Sequence, residues 1–242
     1  VRVIGFIAAV QLLLNLAALP FMNEAAQVSP WVLLLVAAQF FILPLIQGGC
    51  LSFANATIIQ PPAPFASFSQ GARRLYGKLL GFEALTVVIV LLVALVAALL
   101  FGLSSVPAER APALGVVLVL VAAVPVSIGI YLMFLILSMA PAAIVVESAG
   151  VLASVKKGLS AGRALLGKVF LVTLALGLTL VPVILITMLP AFFNPDQTQL
   201  GLGWLLTALV LQSAAGALSM ALFALAYVQL YRHHVGRVPT HP

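Results

Sequence analysis

Polar residues are sparse along this chain and fall in short groups between long apolar runs. Six of those runs are long enough for a helix to cross a bilayer, at about residues 3–20, 31–59, 79–103, 113–140, 169–189 and 204–231. The runs are continuous and do not alternate with period two, which excludes barrel strands. Two stretches depart from the pattern. In residues 65–77, Phe65, Phe68, Ala72, Leu75 and Tyr76 recur at helical spacing while Gln70, Arg73 and Arg74 fall on the opposite side. In residues 149–163, Leu152, Val155 and Leu159 face one way and Lys156, Ser160 and Arg163 the other. Both read as short amphipathic helices at the membrane interface. The expected fold is all-α: a single polytopic transmembrane domain over 1–242, with six transmembrane helices and two short cytoplasmic interfacial helices.

Local signals refine the elements. Pro44 followed by Gly48 and Gly49 predicts a kink or a close helix crossing in the second run, since proline removes one intrahelical bond and glycine lets a backbone approach. The stretch Gln60-Pro61-Pro62-Ala63-Pro64 ends that helix, and Ser67 with Gln70 offers a capping box for the next. Pro125 and Pro141 divide the fourth run, with 142–146 expected to continue along the interface, and Pro182 is expected to kink the fifth. The chain opens at Val1 without a methionine, so its start is expected upstream or processed. The first run lacks a small-residue cleavage site and reads as a retained span.

Composition agrees with the pattern. The chain is 64% hydrophobic and only 7% charged over 242 residues, with a mean hydropathy of +1.28, where soluble domains carry about 25% charged residues. Eleven Lys and Arg against five Asp and Glu give a net charge of +6, and the excess is segregated. Arg2, Arg73, Arg74, Lys78, Lys156, Lys157, Arg163, Lys168, Arg232 and Arg237 all fall on one side of a six-span arrangement, and Arg110 falls on the other. The positive-inside rule then makes both termini cytoplasmic in a multipass membrane protein.

Candidate chemistry is thin. His233, His234 and His241 lie in the C-terminal tail without a carboxylate beside them, and Cys50 is alone in an apolar run. No nucleophile stands beside a base, no span holds paired carboxylates, and no glycine loop suits a phosphate. An enzyme is not expected, nor is a cofactor, a metal or a nucleic-acid partner. What remains is intramembrane polarity and surface charge. Gln11 and Asn15 share one helix face, Gln39 and Gln47 add amides in the second span, and Glu83 stands early in the third. The amides suggest helix contacts, and Glu83 suits the positive end of a helix next to Lys78. The alternative gives all five to an intramembrane cavity in a small transporter or permease subunit. Arg73, Arg74, Lys78, Lys156, Lys157, Arg163 and Lys168 form a cytoplasmic face suited to anionic lipids or a partner protein.

An internal echo links the two amphipathic segments. Residues 69–78 end in Arg74-Leu75-Tyr76-Gly77-Lys78 and residues 156–168 in Arg163-Ala164-Leu165-Leu166-Gly167-Lys168, so aligning them needs a gap. A duplicated helical hairpin would account for both. The runs PLIQGG (44–49), FSQGARRLYGKLLG (68–81) and APAAIVVESAGVLASVKKGLSAGRALLGK (140–168) carry a wider likeness. Through them the chain resembles the six-helix bacterial integral membrane proteins related to the membrane domain of glycerophosphoryl diester phosphodiesterases. The resemblance implies six membrane helices, and it does not imply the phosphodiesterase activity, which belongs to a further domain in some members. The expected function is that of a non-catalytic membrane protein, a subunit or accessory component of a larger assembly. The rivals are the transporter subunit and a lipid-interacting protein of the cytoplasmic leaflet.

Overall fold

A computed structural model describes residues 2–18, 30–108, 112–193 and 202–236. Those residues form seven helices, with no strand among them: α1 (Arg2–Ala18), α2 (Pro30–Ile59), α3 (Phe65–Ala108), α4 (Pro112–Glu147), α5 (Val151–Ala164), α6 (Leu166–Phe193) and α7 (Leu202–Val235). Helix is what such apolar runs must adopt, because lipid offers no partner to an unbonded peptide group. Both α2 and α4 start on proline, where the missing N–H costs nothing. Five helices, α2, α3, α4, α6 and α7, are long and apolar enough to cross a membrane. This is an all-α polytopic membrane protein.

Against the six expected spans, α1 is the exception: its 17 residues reach about 25 Å, short of a bilayer core of about 30 Å. Glu24, Glu109, Arg110, Asp196, Arg237 and His241 lie outside the described residues.

The segment 65–77 is not a separate interfacial helix but the first turns of α3, which runs unbroken for 44 residues. Nothing between Tyr76 and Leu79 interrupts its hydrogen bonding, and the expected capping box is absent: Ser67 lies inside the helix and its hydroxyl donates to the Pro64 carbonyl at 2.6 Å. This also removes the helix-dipole reading of Glu83, which sits five turns into α3, whereas the dipole acts within the first turn. The other amphipathic segment does form its own helix, α5. Leu165 separates it from α6, with φ −110° and ψ 14°. Between its Arg and its Gly-Lys the second copy carries one residue more than the first, and that extra residue falls where α5 ends.

Two antiparallel hairpins carry the close packing. In the first, α2 turns back as α3, and Gly48 faces Leu75 and Leu79 while Gly71 faces Ser52. A Cβ on Gly71 would overlap the Ser52 side chain, and one on Gly49 would come within 2.6 Å of the Phe68 ring. The close crossing expected at Gly48 and Gly49 is therefore present. In the second hairpin α4 turns back as α5, with Gly158 on Ala140 and Gly162 on Leu135. Around them, α4 touches α3, α5 and α7, and α7 also touches α1, α2 and α6.

Burial is confined to one end. The core runs through Val3 and Ile7, Ile46 to Ala54, Phe68 to Phe82, Leu135 to Ile144, Val169, and Ala217 to Tyr231. The stretch at 138–144 is buried on every side, and of the residues expected to run along the interface 142–144 lie within it while 145 and 146 are partly buried. Toward the other end, residues 84–99 of α3 and 170–186 of α6 are apolar and none of them is buried, as a lipid-facing surface requires.

Because the Gly158 seat is backbone on both sides, with a Cβ only 2.6 Å from Ala140 N and 2.7 Å from its Cα, Gly158→Ala is expected to destabilise the protein by about 1–3 kcal/mol. Gly77, which has open space around it, should tolerate alanine and gain up to about 1 kcal/mol. Thermal unfolding of the detergent-solubilised variants separates the two outcomes.

Candidate functional site

The basic residues of the sequence come together at the packed end. Lys78 donates to the Ser148 carbonyl at 2.6 Å, Phe6 of α1 packs on Phe65 and Phe68 of α3 with ring centroids 6.4 and 5.7 Å apart, and Glu147 bonds Tyr231 of α7. These contacts put the start of α1, the start of α3, the α4–α5 turn and the last turns of α7 at one end. Arg73, Arg74, Lys156, Lys157, Arg163 and Lys168 are exposed there, and Lys78 is half-buried.

Glu147 is the carboxylate at the centre of this end. One oxygen accepts from Lys157 Nζ and the other from the Tyr231 hydroxyl. The next residue, Ser148, has φ 53°, a left-handed conformation that stops α4 and turns its carbonyl toward Lys78. A non-glycine residue held there costs about 1 kcal/mol or more, which the Lys78 bond offsets. Four helices, α3, α4, α5 and α7, are thus tied through two adjacent residues. Glu147 is visible in the sequence as a lone carboxylate after an apolar run, but its pairing with Tyr231 is not, because 84 positions separate them and no local pattern joins them.

The intramembrane amides divide into two clefts. Gln11, Asn15 and Gln39 meet Gln212, Ser213 and Gly216 around a space of about 290 Å³ between α1, α2 and α7. Asn15 donates to Ser213 at 3.2 Å, so the helix contact expected of this face is there. The Gln11 carbonyl oxygen is buried with no hydrogen-bond partner, while Gln212 is exposed on the outside of α7. Gln47 lies in a second cleft of about 390 Å³, with Ser138, Ser219 and Tyr227 on its wall. Its side-chain oxygen is also buried and unpaired. Tyr227 is held in turn by Thr173 of α6 at 2.7 Å. Gly216 lines both clefts, so they adjoin.

Glu83 lines neither cleft; it is half-buried on α3 without a hydrogen bond or ion pair among the described residues. The five polar residues grouped in the sequence therefore do not share one cavity.

No family model, curated protein or solved structure matches this chain. Its chemistry rests on the geometry alone. Among the described residues no three His, Cys, Asp or Glu side chains group as a metal site would require. The clefts hold amides and hydroxyls without charge, which can donate and accept hydrogen bonds to a neutral group. Gln212, Ser213 and Ser219 escaped notice in the sequence because they are few and lie within a long apolar run. The small residues at 213–217 of α7 were the one available signal that another helix approaches there.

Removing the Tyr231 hydroxyl leaves a partly buried carboxylate oxygen unpaired, so Tyr231→Phe should cost about 1–3 kcal/mol. Lys157 is 45% exposed against 24% for Glu147, and Lys157→Gln should cost at most about 1 kcal/mol. Chemical unfolding in mild detergent, read by tryptophan fluorescence, measures the difference.

Proposed function

We propose that this chain is a non-catalytic component of a membrane assembly, joined to another transmembrane helix at the cleft between α1, α2 and α7. The observation that carries this reading is the exposed amide of Gln212 beside the unpaired Gln11 oxygen. Lipid tails satisfy neither, and an unpaired amide in hydrocarbon is costly. A polar side chain on a neighbouring helix supplies the missing bonds, each worth about 1 kcal/mol in this setting.

The same reading sets the protein in a bacterial inner membrane with six spans, α1 included, and both termini cytoplasmic. The exposed cations at the packed end support that orientation. Charge in hydrocarbon is expensive, so the bilayer surface lies near Lys78 and Lys168, and the earlier turns of α3 and all of α5 stand on the water side. The likeness of 140–168 to the six-helix family fits this placement.

A small transporter is the second reading, and the adjoining polar clefts favour it. It lacks an acid within them, since Glu83 lies elsewhere, and would be confined to a neutral solute.

Gentle extraction from native membranes should recover a particle larger than the 25.3 kDa chain with fixed stoichiometry. The double variant Gln39→Leu/Gln212→Leu should weaken that association by about thirtyfold. Recovery of the unaltered chain as a lone monomer that moves a polar solute across vesicles would replace this reading with the transporter.

A further inference from the structure

An apolar groove of about 700 Å³ lies between α4 and α6. Its walls are Ile130, Tyr131 and Phe134 on one side and Leu166, Gly167 and Phe170 on the other. Helix α6 is held to the bundle chiefly through α7, which leaves this side of it open. The volume lies in the range that takes one small ligand or chain.

Position and charge identify the occupant. The groove begins where α5 gives way to α6 at Leu165 and runs along α4 from Phe134 to Ser127, about 10 Å by helical rise. Around it, Ile128, Ile130, Phe170, Leu171 and Leu174 are exposed and apolar, which marks hydrocarbon depth. At its mouth the surroundings change. Lys168 follows Gly167 directly, and Arg163 adjoins Gly162, which is seated on Leu135 next to Phe134. Both cations are exposed, with no hydrogen bond or ion pair among the described residues. An apolar slot descending from two unpaired cations at the bilayer surface has the amphipathy of a phospholipid with a negative headgroup.

We propose that the α4–α6 groove is a binding site for an anionic phospholipid, with one acyl chain along Phe134, Tyr131 and Phe170 and the headgroup phosphate between Arg163 and Lys168. The weak packing of α6 on α4 follows: the lipid chain is the packing element between them. This site is separate from the amide cleft and stands or falls independently of the assembly proposed above.

The test is native mass spectrometry on the full chain, delipidated in detergent and titrated with phosphatidylglycerol or phosphatidylcholine. One phosphatidylglycerol per chain is expected at high affinity. Each cation near a membrane surface contributes roughly a factor of five, so phosphatidylcholine should bind about thirtyfold more weakly. Arg163→Gln/Lys168→Gln should bring phosphatidylglycerol down to the same level, whereas Arg73→Gln/Arg74→Gln, on the other hairpin, should leave it unchanged. Gly167 has open space on its Cβ side, so Gly167→Leu fills the groove without forcing the backbone, and it should lower retention of both lipids. The double charge variant does not touch packing and keeps the test valid should the leucine variant unfold. Equal affinity for the two lipids, or full phosphatidylglycerol binding by folded Gly167→Leu, would overturn the assignment. So would a cysteine at Phe170 crosslinking to a second copy or to another protein helix in native membranes.

Discussion

The structure depends on how closely three helices can approach residues 138–144 of α4. Burial of apolar surface and dispersion between surfaces that fit both reward that approach. Ser138, Ala140, Ala142 and Ala143 are small, and α3, α5 and α7 close around them. Gly158 reaches the backbone of Ala140 itself. The hydrogen bonds of Glu147 and Ser148 stand at the end of the same segment and fix the register that the packing sets.

From this follows the division of the molecule into a tight end and an open one. Toward the basic end the side chains interlock, and the exposed faces of α3 and α5 turn arginine and lysine outward. Away from it the helices separate, expose leucine and valine, and leave clefts between them. Both proposed contacts occupy the open part: a partner helix on the amide side, a lipid on the α4–α6 side. They differ in chemistry because the linings differ. Amides demand hydrogen-bond partners, and the Phe134–Phe170 wall demands none.

Much of the fold was legible because the physics of lipid leaves so few choices. Long apolar runs dictate helices, the prolines at 61, 62 and 64 end one of them, and Gly48 with Gly49 foretold the α2–α3 crossing. Amphipathic periodicity was ambiguous. The same pattern suits a helix lying on a membrane and one packed on a neighbour with its polar side outward, and for 65–77 the second holds because no residue breaks the chain before Leu79. The extra residue in the second copy was visible as a gap, yet its effect, the break at Leu165, was not. Gln11 and Asn15 could be placed on one face by spacing, while their partner Ser213 lies 198 positions from Asn15. Pairings at that distance leave no periodic trace. Glu147 with Tyr231 is the other instance.

That separation between partners bears on the order in which the protein is made. The hairpins α2–α3 and α4–α5 join neighbours in the chain, so each can close as soon as its second limb leaves the ribosome. Helix α7 is the last of the seven to emerge, and it completes the wall around α4, receives Asn15 from the first helix and supplies the hydroxyl for Glu147. Until then α1 is held only by its smaller contacts with α2 and by Phe6 against α3, since its contacts are chiefly with α7. Assembly therefore waits for α7, and a nascent chain arrested before Leu202 would present the polar faces of α1 and α2 to any chaperone or insertase in the membrane.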